Sequence, residues 1–457
     1  MPTSPGATRR PYLIAVLALL ASLFAVVQPA GPAAAAVDGM TVDMSTYGGT
    51  PTYRASGFIY GLGQNGSTPA ASLQSQIKAT ELRAGGSQIG CPAGGYVNGS
   101  DTARWNAEKA YYARAKTTGA HLEMILAGLW GADGVCTVPR WPGDGGNWSE
   151  YTAFVSQVIA DVKAAGMTGS DVRWDLWNEP NIFFWGASQA QYLEMVRRGT
   201  LQIRAALPGA VIEGPSCACN PADAWFTTYL DYVKANGVVP DILSWHALPG
   251  DPAVDAANAR SALAARGMSV AGLDVNEYGA YGAEQQPGPS AWYIARLERG
   301  NADGARANWG MVGATPSLYD TMGWLVTANA NQPMGQWWVY ERYAEQTGQR
   351  TKITPGGNAA HDGIVFQDAA IHKSIGIYGA TPSAATGQVG VTYTNIPSWL
   401  QKSSTIHVRV ERMPSTNAYV AAPTVVSEGR VAFTGDTLTV NLDWTNNLDA
   451  YAVILTA

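Results

Sequence analysis

Between residues 57 and 340 the chain alternates short apolar runs with amphipathic stretches or long connections. Eight runs can be counted, at 58–62, 80–83, 122–126, 172–177, 210–213, 241–246, 273–275 and 336–340, each of strand length and most rich in β-branched or aromatic residues. Between the third and fourth, Tyr151, Phe154, Val155, Val158, Ile159 and Val162 follow the i, i+3, i+4, i+7 spacing that lays one apolar stripe along a helix. Eight alternations of strand and helix predict an α/β fold, a (β/α)8 TIM barrel over residues 54–350. A doubly wound sheet gives a similar local pattern, and in either fold the strand C-termini form the functional face. Past residue 360 the period shortens to two: Ile406, Val408 and Val410 alternate with His407, Arg409 and Glu411, and Leu438, Val440, Leu442 and Trp444 with Thr439, Asn441 and Asp443. That alternation predicts a C-terminal antiparallel β-sandwich over 360–457, which the apolar segment within 37–53 joins because no other sheet is open to it.

Residues 1–36 stand outside this pattern. Arg9 and Arg10 precede an apolar run at 12–27, and Ala33 to Ala36 offer a small-residue cleavage site, the composition of an export signal. The run is short for a membrane span. Its two arginines also match a twin-arginine address, although ordinary signals begin in the same way. The expectation is a secreted, extracellular protein with no membrane association once the signal is cleaved. A net charge of −6 with 14% charged residues provides no basic footprint for nucleic acid. Sixteen tryptophans and twenty-one tyrosines are many for 457 residues, enough to fill the core and still line a cleft with the flat faces on which sugar C–H groups pack.

Four cysteines in an exported chain favour disulfides over metal binding, and four allow three pairings. Cys91 and Cys136 follow the second and third predicted strands and belong on neighbouring loops, which makes them the favoured bridge. Cys217 and Cys219, with Ala218 alone between them, leave a small strained ring or a free, exchangeable pair as alternatives. The five histidines show no metal spacing, so neither a metal nor a cofactor is expected.

Two segments carry the chemistry. In 174–181 and in 273–278 a glutamate, Glu179 or Glu277, closes an apolar run where the chain turns into a loop. Paired carboxyls at strand ends are the equipment of a glycosidase, one to protonate the leaving oxygen and one to attack or to activate water. Rival carboxylates exist in Asp175, Glu123, Glu213, Asp274 and Glu341, but the first four fall within or before strand ends rather than at the mouth.

The stretch WDLWNEPNIFFW at 174–185 resembles the acid/base motif of glycoside hydrolase family 39 within the clan A barrel enzymes. So does the order of further landmarks: Leu82-Arg83, Glu213-Gly214-Pro215, Ser244-Trp245-His246-Ala247 and Asn276-Glu277-Tyr278. The resemblance implies that Glu179 is the general acid/base and Glu277 the nucleophile of a retaining double displacement. By the same resemblance Asn178 donates to the sugar 2-hydroxyl, Arg83 and His246 hydrogen-bond Glu277, and Trp338 at the end of strand eight floors the first sugar subsite; Tyr278 joins the substrate-binding set, and so does Glu341, as the rival carboxylate whose position suits a substrate hydroxyl. Members of the family act on xylosides, iduronides, arabinofuranosides and other glycans. For an exported chain without a basic patch, plant-polysaccharide pentosides fit best and iduronide least. The loops after His246 (Ala247-Leu248-Pro249-Gly250) and after Tyr340 depart from the family pattern, which leaves the exact sugar, linkage and exo or endo action open. The non-enzymatic alternative is a sugar-binding or cell-wall scaffold that has lost catalysis, but a binding protein needs neither glutamate.

Overall fold

The computed structural model describes residues 36–457 except 64, 87–95, 97–100, 133–137, 139, 281, 284–285, 308–324 and 328–331. The export signal at 1–36 therefore falls almost wholly outside the described residues, as do Cys91 and Cys136. After a first strand, β1 (Asp38–Asp43), eight strands close into a parallel barrel. They are β2 (Gly57–Ile59), β3 (Glu81–Ala84), β4 (His121–Ile125), β5 (Val172–Asp175), β6 (Val211–Cys217), β7 (Ile242–Ala247), β8 (Gly272–Tyr278) and β9 (Asp303–Arg306).

One strand differs from the sequence reading. The run at 336–340 is not the eighth barrel strand; it lies in the helix Gly335–Ala344, where Trp337, Tyr340 and Ala344 are buried at helical spacing. Its aromatic and β-branched residues read locally as a strand, and tertiary packing overrides that propensity. The eighth position is taken by β9, whose sequence Asp-Gly-Ala-Arg is too short and polar to show a period. Gly304 is required there, because a Cβ would lie within 3.0 Å of Tyr278 and Leu297.

The remaining strands are β10 (Gln349–Arg350), β11 (Lys352–Thr354), β12 (His361–Asp368), β13 (Lys373–Ala380), β14 (Gly387–Thr394), β15 (Thr405–Met413), β16 (Thr424–Ala432), β17 (Leu438–Trp444) and β18 (Ala450–Thr456). They form two facing sheets in the orders β11-β1-β14-β17 and β10-β12-β13-β18-β15-β16. β1 pairs parallel with β14, Met40 opposite Val391. Ile406, Val408, Val410, Leu438, Val440, Leu442 and Trp444 all point into the second core, as their alternation demands. The barrel helix Pro287–Gly300 presses against β12 and β13, with Gly379 permitting the approach to Gly288 and Trp292. Asp362 receives Arg296 at 3.0 Å and Arg299 at 2.7 Å across that seam. Among the described residues no helix is long and apolar enough to cross a membrane.

The barrel interior is unusual in holding two guanidinium groups where apolar side chains commonly stack in layers. Toward the N-terminal end, Arg173 of β5 reaches Asp274 at 2.7 Å, Glu213 at 3.4 Å, Asp303 at 3.5 Å and Glu81 at 3.9 Å. One repeat further along the strands, Arg83 of β3 contacts Glu123 at 2.9 Å and Asp175 and Glu277 at 2.6 Å each. The spacing of two residues between Glu81 and Arg83, and between Arg173 and Asp175, is the strand period placing alternate side chains inside.

Candidate active site

Two irregularities in the barrel build the site above Arg83. On β8 three residues, 275–277, span the interval that two residues span on β7, so the register shifts between Ser244 and His246. This bulge turns both Asn276 and Glu277 inward, which regular alternation forbids. On β6 the register shifts between Pro215 and Cys217, leaving Ser216 as the extra residue at φ 53°. The Ser216 hydroxyl sits 2.9 Å from that of Ser244 and accepts from Asn276 Nδ2 at 2.8 Å, while the same amide nitrogen donates to Glu123 at 2.7 Å.

Glu179 arrives on the turn after β5. Its own φ is 43°, in the left-handed region that a side chain such as glutamate adopts only where its surroundings impose it. Its N–H donates to the Ser216 carbonyl at 2.9 Å. Below the turn, Trp177 donates from Nε1 to the Phe184 carbonyl at 2.9 Å and packs edge-on to Trp185 at 5.0 Å.

His246, at the end of β7, joins the two glutamates. Its Nδ1 lies 2.9 Å from Glu179 Oε1 and 3.4 Å from Glu277 Oε2, and one oxygen of each glutamate and the histidine nitrogen all fall within 4.8 Å of one another. Burial pushes the imidazole down to about 4, so it is neutral near pH 7. Burial also pushes Glu179 up, to about 7, against a weak opposing pull from Arg83. Glu277 is raised by burial as well, but His246 and the directly bonded Arg83 oppose that rise. The two carboxyls therefore have unequal surroundings: one leans on a neutral ring, the other on a guanidinium at 2.6 Å. Repulsion from Glu179 adds to the rise of Glu277, so a proton on Glu179 removes that part of it. Asn178 Oδ1 accepts from Arg83 Nη2 at 3.0 Å, which orients the amide so that Nδ2 faces away from the guanidinium.

The structure thus brings together Arg83, Asn178, Glu179, His246 and Glu277. Three other expected residues lie elsewhere. Tyr278 is buried, its hydroxyl bonded to the Ala55 carbonyl at 2.7 Å and to Tyr340 at 2.6 Å, because the bulge that turns Glu277 inward leaves the next residue in the barrel wall. Trp338 is not at a strand end but on the helix Gly335–Ala344, donating to the Val420 carbonyl at 2.8 Å. Glu341, on the same helix, accepts from Arg342, which also reaches Glu411 of β15 at 2.7 Å. Both misplacements follow from the reassigned eighth strand.

Sequence reasoning misses the cleft beside Glu179. It measures about 240 Å3 and is lined by Glu179, His246, Cys219, Asn220, Asp255 and the 248–250 loop, among others. The cysteine pair and the loop at 247–250 that departs from the family pattern are the sequence features that fall on it. Cys217 and Cys219 are bonded to each other, closing the small ring that spacing leaves open against a free pair. Among the described residues, two side-chain groups could geometrically hold a cation: Glu179, His246 and Glu277, and Glu81, His121 and Asp274. In the second, Arg173 already supplies the positive charge. In the first, the histidine nitrogen that would ligate is engaged with both carboxylates.

No protein-family profile matches the chain. It is 24% identical over 322 residues to a 3-O-alpha-D-galactosyl-alpha-L-arabinofuranosidase of Bifidobacterium longum subsp. longum, a match covering 67% of this chain and 26% of that protein. The chain thus spans about a quarter of the length of that relative. Among solved structures it resembles N2152 from Neocallimastix frontalis, with TM-score 0.75, 25% identity, and 92% and 99% of the two chains covered. It also shares the fold of a GH39 beta-xylosidase from Caulobacter crescentus, with TM-score 0.56, 14% identity, and 92% and 99% covered. The relatives are glycoside hydrolases, and clan A enzymes of family 39 stand among the structural neighbours.

Proposed function

We propose that the protein is a retaining O-glycoside hydrolase in which Glu179 is the acid/base and Glu277 the nucleophile. The observation that carries this is the pair of carboxyls at the barrel mouth, with one oxygen of each within 4.8 Å of the other and unequal surroundings, Glu277 bonded to Arg83 and Glu179 to His246. A retaining pair stands about 5 to 5.5 Å apart, whereas an inverting pair needs about 6.5 to 9.5 Å to seat a water between them. In the first step a Glu277 oxygen bonds to the anomeric carbon as the bond to the leaving oxygen breaks, and the Glu179 proton passes to that oxygen. In the second, Glu179 takes a proton from water, whose oxygen attacks the anomeric carbon and releases the Glu277 carboxylate. Asn178 Nδ2 serves the 2-hydroxyl.

The substrate class we propose is the pentosides, β-xylosides or α-L-arabinofuranosides of plant-type glycans, supported by the names of the relatives. The reading includes export by the N-terminal signal, which N-terminal sequencing of protein from culture medium checks. Proton NMR of the earliest product from a panel of aryl pentosides tests the mechanism: the product anomer is expected to match the substrate. The opposite anomer appearing first makes Glu277 a base that activates water and overturns the assignment.

A further inference from the structure

The bond between Cys217 and Cys219 has no part in the reaction as proposed, yet it closes beside the acid/base residue. Cys217 ends β6 and is fully buried, while Cys219 lines the same cleft as Glu179. The residue held between them, Ala218, presents both its peptide groups to one side chain: its N–H donates to Asn181 Oδ1 at 2.9 Å, and its carbonyl accepts from Asn181 Nδ2 at 2.9 Å. Two residues before Asn181 and two before Ala218, Glu179 N–H donates to the Ser216 carbonyl at 2.9 Å. Three hydrogen bonds therefore clamp the segment 179–181 to 216–218.

Both clamped segments contain a residue forced to positive φ, Glu179 and Ser216, so the clamp must be stiff to hold them. The crosslink supplies that stiffness at the one residue between its sulfurs. Global stability is a poor explanation for it, because the chain-entropy effect of a disulfide shrinks with loop size and is smallest for a ring of this length.

We infer that Cys217, Cys219 and Asn181 are positioning residues for the proton donor: the crosslinked ring fixes Ala218, Ala218 fixes the Asn181 carboxamide, and the turn so held aims the Glu179 carboxyl at the leaving-group oxygen. The inference rests on the assignment of Glu179 as acid/base. Its consequence is specific, since aim of the donor matters only where the leaving group needs a proton.

The test compares the wild type with the double variant Cys217→Ala, Cys219→Ser and with Asn181→Ala, which breaks the clamp without touching the sulfurs. Each full-length protein, shown to be folded by circular dichroism, is assayed for kcat/KM on aryl pentosides from 2,4-dinitrophenyl to unsubstituted phenyl. The expected result is a loss about tenfold or more greater on the phenyl than on the dinitrophenyl glycoside, for Asn181→Ala and for the double variant alike. Should the double variant fail to fold, Asn181→Ala decides. A loss equal across the series, or none, overturns the inference and leaves the function standing. Absence of turnover by the wild type on every glycoside overturns both.

Discussion

Replacing Glu179 by glutamine should make the protein more stable, and only above pH 5. The Glu179 carboxyl moves from an ordinary 4.5 in the unfolded chain to about 7 in the fold because burial strips water from its charged form. At 1.36 kcal/mol per tenfold change in proton affinity, that displacement corresponds to about 3 kcal/mol. The native pKa is the higher one, so the unfolded chain releases the proton first as pH rises. The native state suffers no penalty below pH 4.5 and the full penalty once the pH has passed 7. A glutamine at this position is nearly isosteric and unable to ionise, and the Glu179→Gln variant therefore escapes the penalty. With 14% of the side chain exposed, solvent relaxation trims the figure to about 2 to 3 kcal/mol. Urea midpoints of wild type and variant at pH 4.5 and 8.5 measure it: the variant's advantage should be absent or at its smallest at the lower pH and larger by that amount at the higher. The same proton sets the alkaline limb of the wild-type kcat/KM profile, expected near pH 7. A stability difference that is flat in pH, or that shrinks as pH rises, refutes the claim that Glu179 carries a proton in the native site.

Two further outcomes follow from the geometry. Glu179→Ala with azide should yield a glycosyl azide of the substrate's anomeric configuration, because Glu277 still forms the covalent intermediate, whereas Glu277→Ala should yield the inverted azide; the same anomer from both variants exchanges or voids the roles. Arg83→Met should destabilise the barrel by about 3 to 5 kcal/mol at pH 7, since Glu123, Asp175 and Glu277 lose a shared cation, and by less at pH 4, where protonation relieves them; a pH-independent loss in urea denaturation would mean the guanidinium acts by packing alone.

What is legible in the sequence, and what is not, divides along physical lines. Strands β3 to β8 announce themselves because each is a continuous or alternating apolar run. The turn carrying Asn178 and Glu179 is a contiguous motif, and contiguous motifs survive any error in the surrounding fold. β9 is invisible to the same reading, since four residues with a charge at each end carry no period. The helix Gly335–Ala344 takes its place in that reading because tryptophan, valine and tyrosine satisfy a strand as readily as a buried helix. That single exchange moves Trp338 and Glu341 from a strand end onto a helix. Tyr278 fails for a different reason: the facing of neighbours on β8 depends on a bulge, and a bulge is a property of two strands in register that one strand's sequence does not contain. The cysteine pair can be named but not joined, because whether a one-residue ring closes depends on the turn that β6 makes at Ser216.

The asymmetry on which the proposed chemistry depends is set on β3. Both glutamates are lifted by burial and both touch the same imidazole nitrogen, but His246 and Arg83 oppose the rise of Glu277, and Arg83 bonds Glu277 and not Glu179. Arg83 in turn faces three carboxylates with one charge, and the three do not share it equally. Burial lifts Asp175 well above its ordinary range in spite of the guanidinium, while Glu123, against the same pull of burial, is held low by Arg83 and by Asn276. Asp175 is thus the member that takes up a proton most readily, and Glu123 the one that keeps its charge beside Arg83. The layer beneath follows the same rule: burial lifts Glu81, Glu213 and Asp274 despite Arg173 among them. A barrel core with more carboxyls than cations thus raises the proton affinity of those carboxyls whose cost of burial outweighs their share of the nearby guanidinium. At the mouth the same balance favours ionisation of Glu277, which bonds the guanidinium directly, over Glu179, which feels it only at a distance. Exchanging the two catalytic roles would therefore require moving the arginine, not the glutamates.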